Sequence, residues 1–360
     1  MLLPTAADIH NHKFAEFDFI DPKLGFSRRL ADCLEVLYRL GAEAERVGAA
    51  NVLIIGDLFH KMGIMEVETF NLVFMAVQGL AKKFKVHLVR GNHDQATKDG
   101  TQHSLFPFSA IPNVHVHDGP FTLKDSGESI DVAFIPYSDD EERTMKRVKK
   151  LRGRPIAFMH HGFRGSRVGS TLEHVVKEPL DPVLVGKHFD FVYSGHYHTL
   201  QFVAKNVMYI GSPMEHTRSD ITEDGKGIII VNTEKLKKPE FVQLSLPRFV
   251  KLEGVEGYSF AREYARGNFV DFVLDRDTAS AAKDVEQRLK KLDARGWVIH
   301  PYVEPKRRKE KSERRIDVEA GMGVEKIVRA AAKKRCPPTL NAKRLERLML
   351  EVLREAEAKR

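Results

Sequence analysis

The sequence predicts an α/β protein, a core of buried strands with helices outside it, followed by two smaller modules. Short apolar runs alternate with helical patterns over the first 245 residues. The residues fit for metal or acid–base chemistry come directly after those runs. The basic excess is confined to the C-terminal end.

The chain opens on MLLPTA, which has no basic start and no long apolar stretch and so reads as a first strand, not a signal peptide. Further strands are expected at Leu53–Ile55, Val86–Val89, Val132–Ile135, Ile156–Met159, Phe191–Tyr193 and Ile228–Val231. They are short and almost wholly apolar, as strands buried on both faces are. Helical patterns lie near 26–47, 66–83 and 139–151; the first sets Leu30, Leu34, Leu37 and Ala44 at helical spacings. The stretch 232–247 is charged and contains proline, which places the main boundary near 247 and a first domain at 1–247. A small α/β module is expected over 248–305, with a strand at Phe269–Leu274, an amphipathic helix at 278–294 and a strand at Trp297–Ile299. KRRKEKSERR begins a basic linker, 306–318. Two short helices follow in 319–360. One has Val324, Ile327, Val328 and Ala331 on a face and is stopped by Pro337-Pro338. The other is capped by Asn341, with Leu345, Leu348, Met349, Val352 and Leu353 on a face.

Composition bounds the function. The 360 residues are 30% charged and 42% hydrophobic, which excludes a disordered or collagen-like chain. No apolar run reaches the roughly 18 residues of a membrane span. Cys33 and Cys336 are the only cysteines and stand in unrelated contexts, so neither a disulfide framework nor a CxxC metal site is expected, and a cytoplasmic location is. Of the net charge of +8, residues 306–360 carry 18 basic and 9 acidic side chains, leaving the body nearly neutral. Such a segment suits nucleic acid or an acidic protein as partner; the plainer reading is a solvated helix face.

Five motifs each follow an expected strand: Asp8-Ile9-His10, Gly56-Asp57-Leu58-Phe59-His60, Gly91-Asn92-His93-Asp94, His160-His161-Gly162 and Gly195-His196-Tyr197-His198. Residues just past strand ends meet in one crevice of an α/β sheet. Imidazole mixed with carboxylate favours manganese, iron or zinc over magnesium or calcium. One shared carboxylate can bridge two ions about 3.5–4 Å apart, which suits in-line phosphoryl displacement. Each motif alone is a weak signal; all five, in order and each after a strand, are not. His12, His87, His103, His115, His117, His174, His188 and His300 read as surface or structural residues, and His216 as structural though near the site.

That order of motifs resembles the calcineurin-like metallophosphoesterases. Gly56–His60, Tyr209-Ile210-Gly211-Ser212-Pro213 followed by Lys226-Gly227 and an apolar strand, and Leu246-Pro247-Arg248-Phe249 are similar to the SbcD-type nucleases of bacteria and phages. The resemblance covers about 1–250 motif by motif and rests on architecture alone beyond that. It implies a four-layer α-β-β-α sandwich with a small capping domain and C-terminal paired helices. It implies two divalent metal ions, manganese first among them. Asp8, His10, Asp57 and His198 would hold one ion, and Asp57, Asn92, His160 and His196 the other. His93 would stabilise the transition state or protonate the leaving oxygen, work suited to an imidazole. His60 would orient His93 or the phosphate.

The expected activity is that of a DNA nuclease, a 3′→5′ exonuclease on duplex ends and an endonuclease on single strands. It would work with an SbcC-type SMC-like ATPase in DNA repair and recombination, and as a homodimer. Isolated helices under about 12–15 residues are marginal, and the resemblance implies that the last two dock on the ATPase. The alternative in the same fold is a phosphoesterase for small phosphodiesters or phosphoproteins. A non-catalytic scaffold is a further alternative, against which every expected ligand type is present.

Overall fold

The computed structural model describes residues 1–169, 171–221, 225–304, 324–335 and 341–358. They divide into two compact units, Met1–Tyr302 and Val303–Arg360. The basic linker expected at 306–318 lies outside the described residues.

Two six-stranded sheets make up most of the first unit. One takes β1 (Leu2–Ala6), β2 (Asn51–Ile55), β3 (Lys85–Val89), β4 (Val114–His117), β13 (Gly227–Asn232) and β14 (Glu240–Gln243), in the order β14-β13-β1-β2-β3-β4. The other takes β5 (Gly119–Asp125), β6 (Glu128–Ile135), β7 (Ile156–His160), β10 (Phe191–Gly195), β11 (Gln201–Ala204) and β12 (Val207–Tyr209), in the order β11-β12-β10-β7-β6-β5. A two-residue pair, β8 (Arg167–Val168) with β9 (His174–Val175), lies between β7 and β10 in sequence.

The apolar runs have a direct packing reason. Successive strand residues point to opposite faces. Leu53 and Ile55 of β2 join Val132, Phe134, Ile156, Phe158, Phe191 and Tyr193 in one buried cluster drawn from both sheets. Their neighbours Val52 and Ile54 pack instead with Leu30, Leu37 and Leu40 of α1 (Arg28–Val47) and Val73 and Val77 of α2 (Val67–Ala81). In the second sheet Ala133, Ala157 and Met159 pack with Val148 of α3 (Glu141–Lys150) and Val185 of α4 (Pro182–Gly186). Ser27 caps α1 by accepting from the Leu30 N–H at 3.0 Å, and Gly48, at φ +66°, ends it.

The stretch 232–247 is not only a connection: β14 lies within it and pairs antiparallel with β13. After it comes a three-stranded parallel sheet, β15 (Phe249–Glu253), β16 (Phe269–Val273) and β17 (Gly296–His300), in that order. Its crossovers are α5 (Gly254–Tyr264), which the sequence reading missed, and α6 (Ala282–Lys291), shorter than the expected 278–294. Phe249 and Phe269 bury against Phe17 of the N-terminal loop. Arg295, just before β17, makes paired contacts of 2.7 and 3.0 Å to Asp32 of α1. These contacts bind the small sheet into the first unit.

In the second unit α7 (Val324–Arg335) and α8 (Ala342–Ala358) are joined by Arg329 and Glu346, 2.6 Å apart. Leu348, Met349 and Val352 of α8 are exposed, whereas Leu350, which the expected face left out, is buried. No described helix is long and apolar enough to cross a membrane.

Candidate metal centre

β1, β2 and β3 run parallel, as do β7 and β10, so the C-terminal ends of five strands open on the same side of their sheets. Asp8 and His10 follow β1, Asp57 follows β2, Asn92 and His93 follow β3, His160 ends β7, and His196 and His198 follow β10. The loops are laced together by backbone bonds. Asp8 donates to Gly56 O at 3.0 Å, His10 to Asp57 O at 2.9 Å and Asn11 to Leu58 O at 2.9 Å. Asp8, His10, Asp57 and His196 all have positive φ, at 54°, 50°, 51° and 103°. For residues with a β-carbon this is costly, and such strain gathers at functional sites.

All nine residues expected at the site are brought together. His160 Nε2 lies 3.3 Å from Asp57 Oδ2, 3.8 Å from Asp8 Oδ1 and 3.2 Å from Asn92 Oδ1. His196 Nδ1 lies 2.9 Å from the same Asn92 oxygen. His10 Nε2 is 3.7 Å from the same Asp57 Oδ2 and 3.2 Å from His198 Nε2. Asp57 thus reaches toward both groups. Three sets, Asp8/Asp57/His160, Asp8/His10/His198 and His10/His60/His93, each bring ligand atoms within 4.8 Å of one another.

The chemistry of these atoms fits a pair of cations. His160 Nδ1 faces Ile55 O at 3.0 Å and donates there, so in the neutral ring Nε2 carries a lone pair turned toward carboxylate and amide oxygens. His198 Nδ1 binds Asp220 Oδ1 at 2.8 Å, which turns its own Nε2 lone pair toward His10. An imidazole whose far nitrogen is held by a carbonyl or carboxylate is the usual arrangement of a metal-binding histidine. Lone pairs facing one another need positive charge between them, and the ring next to both carboxylates responds accordingly. Burial works against charging His160, but Asp57 and then Asp8 overcome it and push its pKa up to about 9. Asp57 is likewise ionised more easily than usual: burial opposes this, and His160 outweighs it. Burial and neighbouring imidazoles push His10 well down and His196 down to about 3.

The glycines next to the ligands leave no room for a side chain. A β-carbon on Gly56 would lie 1.9 Å from His160 Nδ1, and one on Gly91 would lie 2.1 Å from Asp57 Oδ1. Asp94 ties the loop ends, accepting from the N–H of Phe59 at 3.0 Å and of Gly91 at 2.9 Å. His93 donates its backbone N–H to Asp57 Oδ1 at 2.8 Å, and its Nδ1 meets the carbonyl of His60. The His60 and His93 rings are stacked, 5.4 Å apart. It is therefore the His60 backbone that grips His93. Burial, then His93, lowers the His60 pKa to about 4.

A calcineurin-like phosphoesterase family model matches residues 6–200, more than half of the chain and the span that holds all nine of the expected site residues. The chain belongs to this family. A curated relative, the putative phosphoesterase 078R of Invertebrate iridescent virus 3, is 24% identical over 227 residues, 60% of this chain and 61% of the relative. The chain thus matches about three fifths of that relative's length. Similar solved structures include a dimetal phosphatase from Danio rerio (9% identity, 64% of this chain and 91% of that one, TM-score 0.37). They also include the nuclease MPE of Pseudomonas putida (17%, 66% and 87%, TM-score 0.31) and the phosphoesterase YfcE of E. coli (15%, 65% and 89%, TM-score 0.30).

Two residues at the site went unread or underread. Nothing in HTRSD marks Asp220 as a partner of His198, 22 residues earlier. His216, expected to be structural, is buried with Nε2 2.8 Å from Asp8 O and its ring 5.1 Å from that of His10. His161 is also buried, its Nε2 held by Pro136 O at 3.0 Å.

Proposed function

We propose that this chain is a two-metal phosphodiesterase acting on DNA, an SbcD-type nuclease that trims duplex ends 3′→5′ and cuts single strands. One observation carries the reading: imidazole nitrogens, carboxylate oxygens and the Asn92 amide oxygen from five strand ends turn toward one another around Asp57. In this reading Asp8, His10, Asp57 and His198 hold one divalent ion, and Asp57, Asn92, His160 and His196 hold the second. Imidazole with carboxylate favours manganese, iron or zinc over magnesium or calcium, and manganese is the ion proposed here. When bound, the ions supply Lewis acidity and lower the pKa of water toward neutrality. The chain's own part would be to hold both ions, with Asp57 shared between the two sets, and to bring His93 to the leaving oxygen. With Nδ1 tied to the His60 carbonyl, His93 has Nε2 free to carry a proton there. The same reading gives the chain a second copy of itself and an SbcC-type ATPase as partners, with α7 and α8 docking on the latter.

His93→Asn tests it. Loss of a proton donor costs about 10²–10⁴-fold in cleavage, while two metals per chain should still be bound. Loss of both metals would mean that His93 is a ligand and that the assignment is wrong. Rates on a DNA end, a mononucleotide and bis-p-nitrophenyl phosphate, measured side by side, test the substrate. Activity confined to the small esters would favour the phosphoesterase alternative.

A further inference from the structure

A short stretch, Glu215–Asp220, connects the three-stranded sheet to the His198 imidazole. At one end Asp220 receives the His198 ring on Oδ1, while its Oδ2 accepts from the backbone N–H of His216 at 3.0 Å and of Thr217 at 2.8 Å. The carboxylate cannot turn without moving that backbone. At the other end the small sheet grips the same stretch twice. The buried carboxylate of Glu215 accepts from the Phe249 N–H at 2.6 Å and from Arg248 Nε at 3.0 Å. Arg218 Nε lies 2.9 Å from Asp271 Oδ2, in the middle of β16. From α1 the buried Arg29 donates to His216 O at 2.7 Å.

Adhesion alone does not account for this choice of residues. Phe17, Phe249 and Phe269 already supply an apolar contact between the small sheet and the body. Buried carboxylates such as Glu215 and Asp271 are costly unless paired, and they add direction where apolar groups add only area. The Arg295–Asp32 pair supplies a polar contact elsewhere, whereas the Glu215 and Arg218 contacts end on the six residues that orient Asp220.

We propose that Glu215 and the Arg218–Asp271 pair are positioning residues: through them the three-stranded sheet holds Asp220, and so His198, in the orientation that binds one of the two metals. The inference rests on the two-metal reading above. Partners outside the ligands usually affect metal affinity by about 10–100-fold, and a pair one step further out should act at or below the low end of that range.

The test is Mn²⁺ binding to the full chain, followed by the signal of free Mn²⁺ and by calorimetry, for wild type, Arg218→Ala, Asp271→Ala, the double variant and Arg218→Lys. Each alanine variant should weaken one site about 3–10-fold and leave the other near its wild-type affinity. The double variant should be no weaker than the worse single, and Arg218→Lys should recover part of the loss. Arg218 is half exposed, with its guanidinium over the Phe17 ring, and Arg218→Lys keeps a cation there, so this arm stands even if Asp271→Ala folds poorly. Wild-type affinity at both sites in all variants would overturn the proposal. So would equal weakening of both sites in step with a fall in Tm, which marks general loosening. A wild-type chain that binds fewer than two Mn²⁺ would instead remove the two-metal reading, and this inference with it.

Discussion

Gly56 shows how much of the site is decided by a missing side chain. Its φ of +95° is unfavourable for any residue with a β-carbon, and that carbon would overlap His160. Gly56→Ala must therefore move the strand end or the imidazole, and overpacking of this kind costs about 1–3 kcal/mol. The expected outcome is a lower Tm together with loss of metal binding, read by thermal melting and by metal analysis of the purified variant. A variant with both metals at wild-type affinity would show that the ring has room to move. The motif glycines could be picked out of the sequence because they stand beside Asp57, Asn92 and His196. The positive φ at Asp8, His10, Asp57 and His196 could not, since neither Asp nor His announces a left-handed backbone. Asp220 was hidden for a related reason: it acts by where a turn brings it, and no local pattern reports that.

Between β3 and β4 two imidazoles are used as packing. His87 is fully buried and His117 nearly so. His87 donates through Nε2 to Asn51 Oδ1 at 3.0 Å, which leaves Nδ1 to accept from His117 Nε2 at 2.8 Å. Phe134 stacks on His117 with ring centroids 4.1 Å apart. Both rings fit only when neutral. Burial, then His117, His115 and Lys85, push the His87 pKa down to about 2; burial, then His115, push His117 down to about 3. A folded-state pKa below the unfolded value of about 6.5 means that the unfolded chain takes up the proton first. The stability these residues give is complete above pH 6.5 and is lost as pH falls below it, down toward the folded values. From pH 7 to pH 5 the loss is about 2 kcal/mol per histidine. In metal-free protein unfolded by urea at both pH values, His87→Gln should shrink the pH-dependent drop by about that amount. An unchanged drop would mean that His87 is not held neutral. Elements of this kind divide in how readable they were. β2, β3, β6, β7 and β10 are legible because burial on both faces demands runs that are almost wholly apolar. β4 was not, because its sequence, Val-His-Val-His, alternates with histidines that look exposed and are largely packed away. α5 was missed because Gly254 and Gly257 weaken a helical signal, yet the latter is needed: a β-carbon there would lie 2.9 Å from the Leu252 backbone.

The whole chain separates charge from chemistry. The span matched by the family carries the candidate ligands, and the basic excess lies after residue 305. Within the second unit, α8 leaves Leu348, Met349 and Val352 exposed, an apolar strip on a helix otherwise rich in charge. A strip of this form is how a helix seats itself in a partner's groove, and it is the physical content of the proposed ATPase contact. Metal-dependent cleavage and partner binding should therefore come apart. With residues 316–360 deleted, the first unit keeps both sheets, the three-stranded sheet and all nine site residues. It should still cut a simple single strand with added Mn²⁺, at a rate within a fewfold of the full chain, and it should no longer co-purify with an SbcC-type ATPase. Replacing Leu348 and Val352 by Glu in the full chain should have the same effect on association without shortening the protein. Truncated or doubly charged chains that still bring down the ATPase would place its docking surface on the first unit. Loss of cleavage on truncation would instead make the last helices part of the catalytic body.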